Sequence, residues 1–283
     1  MRQEQPDHLN AAQHEQLPVD NEQFYILLDG ALLEAPAFAY THDHSPTLQQ
    51  LYAGTRHSSA IEVSPCIVQP SSDSGLWAVE DKWRRCGIVI QSDAGIQVLA
   101  EHLRSLISMR LPSGQLAYCR FYAPSQLSRL LSSFTEGEFS AFSGPVQRWF
   151  AYDQNTWLSL GASDKGQLRP ADDEGWFCLR QDQLDLLQAD EEQCFIERMA
   201  AHFDCPRSTI PEGVAARERM ATLIQQARLL GFDQEYQCTH YLELAWRFPE
   251  EITAAELSSL LNDRSLAADT RLEQAESRLF GLA

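Results

Sequence analysis

The sequence predicts an α+β, or mixed α/β, N-terminal lobe followed by an all-α helical C-terminal lobe. Three observations predict it. Between residues 21 and 160, compact apolar runs ended by turn residues alternate with stretches of helical period. Residues 161–175 (GASDKGQLRPADDEG) are rich in Gly, Pro, Asp and Ser and hold no core pattern, which marks a loop or linker. From about residue 182 onward the apolar residues fall at helical spacing. The organisation expected is a polar tail over 1–20, a mixed α/β domain over 21–160, a linker with a last strand over 161–181, and a helical lobe over 182–283.

Residues 1–20 are polar, with little periodicity, and read as a frayed tail or a short helix. Phe24–Leu28 is an apolar run closed by Asp29-Gly30, the pattern of a buried strand. Ser64–Val68 and Cys86–Ile90 read the same way. Asp93 is placed to cap the helix that follows, in which Ile96, Leu99, Leu103 and Leu106 make an apolar stripe. Two strand-like runs, 107–111 and 116–122, flank a Pro-Ser-Gly turn and predict a β-hairpin. Thr135-x-x-Glu138 is a capping box for a short helix. Strands are expected again at 146–152, 157–160 and 176–179. Helices follow around Phe195/Met199/Phe203, around Met220/Leu223/Ile224/Ala227 and around Tyr241/Leu244/Ala245/Phe248. Another capping box, Thr253-x-x-Glu256, precedes Leu257, Leu260 and Leu261, and the last helix runs over about 266–280.

Composition narrows the function. Forty acidic residues against 22 basic ones leave a formal net charge of −18. Nucleic acid is disfavoured as a partner, because Lys and Arg supply affinity for phosphate backbones. Anionic membrane surfaces are disfavoured for the same reason. No apolar run approaches the roughly 20 residues of a membrane helix, so no membrane insertion is expected. The N-terminus lacks the apolar stretch of a signal peptide, so the expected location is cytoplasmic. The seven cysteines form no CxxC pair and sit in apolar strings such as PCIV and AYCRFY, where reduced core thiols are expected.

Chemistry-bearing constellations are sparse. His42-Asp43-His44, with His57 nearby in sequence, is the nearest approach to a metal cluster, and its spacing lacks a third ligand. Cys119 can be paired with His102 on paper, but its neighbours read as a buried strand. No GxSxG elbow and no phosphate loop is present. The chain is therefore expected to be no enzyme and to use no cofactor or metal. The 27 aromatic residues and 20 Arg, against two Lys (Lys82, Lys165), suit protein–protein contact.

Several strings then occur in a telling order: YILLDG (25–30), LYAGT (51–55), WRRCGIVIQS (83–92), HLR (102–104), LPSG (111–114), RFYAP (120–124) and FSGPV (142–146). Together they resemble the type VI secretion effector chaperone family, also called Tap or Tec adaptors, over about residues 24–150. The family usually reads Arg-Phe-Tyr-Asp-Pro where this chain has Ala123. The resemblance implies a non-enzymatic adaptor that holds a cognate effector in the cytoplasm and helps load it onto the VgrG spike. Trp83, Arg120, Tyr122 and Arg148, in or beside these strings, are the expected partner-contacting residues. An orphan hydrolase and a regulatory scaffold outside secretion are the alternatives.

Overall fold

The structure is a computed structural model that describes residues 12–14, 16–17, 24–153, 155–161, 166–205 and 211–281. Packing divides the chain into two compact units, residues 1–187 and 188–283.

The first unit is built on a seven-stranded, wholly antiparallel sheet. Its strands are β1 (Ala12–His14), β2 (Phe24–Leu28), β3 (Thr47–Gln50), β4 (Cys66–Gln69), β5 (Gly87–Gln91), β8 (Arg148–Asp153) and β9 (Thr156–Gly161). They lie in the order β1-β9-β8-β5-β2-β4-β3. A separate hairpin pairs β6 (Ser108–Arg110) with β7 (Leu116–Tyr118), as the Pro-Ser-Gly turn predicts.

Both faces of the large sheet are covered. Tyr25 and Leu27 join one core with α3 (Ile96–Ser105), α4 (Pro124–Ser132) and α5 (Glu136–Ser143). Phe24, Ile26 and Leu28 join the other, with α1 (Ala35–His42) and with Trp83 at the end of the short α2 (Glu80–Trp83). Double burial explains why β2 and β5 read as continuous apolar runs, without the alternation of a half-solvated strand. The α5 capping box forms as expected: the Thr135 hydroxyl accepts from the Glu138 N–H, and Glu138 accepts from the Thr135 N–H at 2.8 Å.

The second unit is all helical. It takes the C-terminal part of α6 (Gln181–His202), then α7 (Pro211–Leu229), α8 (Glu235–Arg247), α9 (Ala255–Asn262) and α10 (Ala268–Leu279). Its core gathers Phe195, Met220, Ile224, Tyr241, Leu244, Leu257 and Leu272, the stripes that the helical periodicity marks. Arg271 is buried there and donates to the Leu230 and Leu261 carbonyls, at the C-terminal ends of α7 and α9. A cation at those ends satisfies carbonyls that the helices leave open.

Five local expectations are corrected. Residues 12–14 pair with β9 as an edge strand, while most of the tail lies outside the described residues. Asp93 does not cap α3, whose N-cap is Gly95; its carboxylate accepts from Gln147 instead. The Thr253 box does not form, because Ala254 holds the N-cap and the Thr253 hydroxyl donates to the Glu250 carbonyl. Residues 176–179 make only a single parallel bridge, Arg110 to Cys178, and no strand. The unit boundary falls at 187/188, inside α6, not in the 161–181 stretch. Part of that stretch is core: Phe177 lies 4.9 Å from the Phe134 ring, and the Trp176 indole N–H donates to Ser105.

Candidate functional site

The strings singled out in the sequence converge in the first unit. Asp29 directly follows β2, and its side chain is only 1% exposed. One Asp29 oxygen accepts from the Ala31 N–H at 2.9 Å, and the other is ion-paired with the Arg120 guanidinium. Gly30 is required at the bend, since a Cβ there would lie 2.1 Å from the Ser64 carbonyl oxygen. Beside this pair the Tyr52, Tyr118 and Tyr122 hydroxyls form a chain, with 2.5 Å between the last two. Burial raises the Tyr122 and Tyr52 pKa values, so both hydroxyls stay protonated.

A second polar knot adjoins it through Tyr118 and His57, whose rings are 5.9 Å apart. Glu174 accepts from the Ser108 hydroxyl at 2.5 Å and pairs with Arg56 and His57, each at 2.8 Å. Burial alone would raise the Glu174 pKa; the Ser108, His57 and Arg56 contacts outweigh it and hold the carboxyl below its usual range. Sequence reasoning missed Glu174, which sits in a stretch that reads as linker and whose partner Ser108 is 66 residues away.

The four expected contact residues separate. Trp83 is fully buried, its indole N–H donating to the Leu76 carbonyl at 2.8 Å, so it offers no surface to a partner. Tyr122 is 2% exposed and serves the hydroxyl chain. Arg120 keeps 38% of its side-chain surface exposed while holding Asp29. Arg148 lies half-buried on β8 and donates to the Ser159 hydroxyl at 2.9 Å.

Arg120 also borders an open cleft of about 540 Å³, shared with Leu32, Arg85, Ser125, Tyr152 and Asn155. The Arg84 guanidinium lies 4.3 Å from the centre of the Tyr152 ring, and Arg85 donates to the Asn155 side chain at 3.0 Å. Arg84 and Arg85 belong to the WRR string, but their aromatic partner comes from β8, which the sequence places far away. Ala123 lines the cleft and is the N-cap of α4, without a side-chain cap. The carboxylate that this position carries in the resembling family would therefore stand where a helix cap belongs.

The remaining candidates have structural partners. Asp43 accepts from the Ser71 N–H and hydroxyl and from the Ser45 N–H. Burial opposes its ionisation, yet these bonds hold it below the ordinary carboxylate range. His57 is engaged with Glu174, and among the described residues no three His, Cys, Asp or Glu side chains are grouped to hold a metal. Both His102 nitrogens bond to backbone, Nε2 at the Phe142 carbonyl and Nδ1 at the Arg169 N–H. Burial pushes the Cys119 thiol up to about 12, which keeps it un-ionised. No helix among the described residues is long and apolar enough to cross a membrane.

Residues 24–141 match the family model described as a domain of unknown function, DUF4123. The matched segment contains Asp29, Tyr52, Tyr118, Arg120 and Tyr122. No curated protein and no solved structure matches the chain.

Proposed function

We propose that this chain is a cytoplasmic chaperone-adaptor of a type VI secretion system, which binds a cognate effector and helps load it onto the VgrG spike without catalysing a reaction. The observation that carries this reading is convergence. Strings spread over residues 25–146, which together resemble the effector chaperone family, supply the Asp29–Arg120 pair, Tyr52 and Tyr122 at the two sides of Tyr118 in the hydroxyl chain, and Arg85, Arg120, Ala123 and Pro124 of the arginine-bordered cleft. The buried Asp29, Tyr52 and Tyr122 hold the exposed Arg120 and Tyr118 from beneath, and arginine beside aromatic residues is the composition of a binding hot spot.

An adaptor must hold two partners, and two compact units supply two surfaces. The effector belongs to the first unit and the spike to the helical unit. No phosphate loop is present in the sequence, so binding energy alone does the work: covering apolar effector surface before export. Release then comes from competition during spike assembly.

Co-expression with a candidate type VI effector and a VgrG from the same genome, followed by pull-down, tests the reading. The full-length chain is expected to retain both. Arg85→Glu, at the cleft but with no bond of its own to Asp29 or Arg120, is expected to lose the effector and keep the spike. Failure of the full-length chain to retain either partner would overturn the adaptor reading.

A further inference from the structure

The helical unit carries a furrow along α8, wholly within residues 203–280. Its floor is aromatic. Phe203 stands 5.3 Å from Trp246, ring to ring, and Phe280, 40% exposed, packs on Phe248 at 5.2 Å. The space bounded by Phe203, Trp246 and Phe280 is about 360 Å³. A neighbouring concavity shares His240 and Glu243 and extends the furrow to Tyr236, which is 61% exposed. From Tyr236 to Arg247 the furrow follows α8 for roughly 16 Å, at about 1.5 Å per helical residue.

The rim is acidic. Glu243 faces His202 and Glu276 faces His240, each at 3.2 Å, and both carboxylates keep about half their surface, 52% and 47%. Two guanidinium groups stack on the floor and keep their charge there: Arg247 lies 4.8 Å from the Phe280 ring centre and Arg219 lies 4.6 Å from that of Trp246. The furrow thus combines an apolar floor with half-exposed carboxylates, Glu243 and Glu276, on a unit that carries more acidic than basic residues.

We propose that this furrow docks a basic amphipathic helix of a partner protein. Apolar side chains of that helix would seat on Trp246 and Phe280, and its Lys or Arg side chains would pair with Glu243 and Glu276. The length of the furrow and its single apolar floor suit an amphipathic helix laid in a groove. Charge selects the partner: the helical unit has 17 acidic residues against nine basic, so a second copy of this chain is repelled and a cationic segment is attracted. The inference rests on the adaptor reading in one respect, that the helix belongs to a partner protein.

The full chain is titrated with a fluorescein-labelled, amidated peptide carrying Leu at i, i+4 and i+7 with Lys between them. A scrambled peptide of identical composition serves as the comparison. Saturable binding of the first peptide is expected, weakened at least roughly tenfold by Glu243→Gln with Glu276→Gln, and likewise by Phe280→Ala. All these positions are at least partly exposed, and an unchanged thermal melt of each variant verifies the fold. Equal binding of both peptides, or no loss in the variants, overturns the proposal. So does a concentration-dependent dimer that the same substitutions abolish, which would assign the furrow to a second copy. Pull-down separates the two readings. If the doubly substituted chain keeps both effector and spike, the docking inference falls and the adaptor reading stands. If no partner is retained while the peptide binds as expected, the adaptor reading falls and the helix specificity of the furrow stands.

Discussion

At the scale of single residues, the Asp29–Arg120 pair governs stability as well as surface chemistry. Asp29 is buried, so removing its cation leaves an uncompensated carboxylate in the core. Arg120→Ala is expected to destabilise the chain by about 2 kcal/mol, less than a fully buried pair would lose, because Arg120 stays partly in solvent. Urea denaturation measures this, and Asp29→Asn in the same background should recover part of the loss. Binding defects of Arg120 variants must therefore be read against their stability. Two thiols, the buried Cys66 and the partly buried Cys119, make a second residue-scale prediction. Cys66 and Cys119 are both pushed up to about 12 by burial, from an ordinary value of 9.0. A raised folded-state pKa gives stability that is whole below the ordinary thiol value and is lost as pH rises through the folded value. The urea midpoint should fall between pH 9 and 12, and less steeply in a Cys66→Ala, Cys119→Ala variant. An equal slope in the variant would assign the alkaline loss to other groups.

At the scale of elements, helix ends decide the local accounts. α5 has a complete capping box, and Thr135→Ala should cost about 1 kcal/mol by orphaning the Glu138 N–H. α4 is the opposite case. Its N-cap, Ala123, has extended backbone (φ −83°, ψ 124°) that suits a capping side chain, and it supplies none. Ala123→Asp should therefore stabilise the protein by about 1 kcal/mol, read as a raised thermal midpoint. No gain, or a loss, would mean that the cleft beside α4 does not tolerate the carboxylate. Gly144 ends α5 with φ +52°, and a Cβ there would meet the His102 ring at 2.3 Å. Substitution at Gly144 thus strains the backbone and displaces a buried imidazole together.

At the scale of the whole molecule, the stretch between the sheet and the helices belongs to the first unit. Phe177 packs on Phe134 and Phe142, Glu174 ties Ser108 to Arg56 and His57, and Arg180 is ion-paired with Glu138. A chain truncated after residue 187 is expected to keep a cooperative unfolding transition. One truncated after residue 160 should lose it or melt far lower, because it abandons those aromatic and carboxylate contacts. Equal melting of the two truncations would show that the segment contributes no packing energy. The same contacts imply that a protease added to the native chain finds residues 171–180 protected.

Short-range patterns carried the parts of this protein that were readable in advance. The apolar stripes of α3, α7 and α8, the β2 run, the β6–β7 turn and the Thr135 box depend on residues a few positions apart, and periodicity and capping act over that distance. The strings from YILLDG to FSGPV likewise pointed to the segment where the polar cluster forms. Which of their residues would face solvent was not readable: Trp83 and Tyr122 carry the composition of a binding surface, yet sheet packing buries them. Arg120 meets Asp29 across 91 residues, and Arg271 reaches the ends of two other helices. Such pairings are settled by the order of strands and the packing of helices, which set distances that no local spacing encodes. The unit boundary is of the same kind, since Gly, Pro and Asp mark where the backbone can bend, whereas Trp176 and Phe177 become core only because an aromatic pocket stands ready for them.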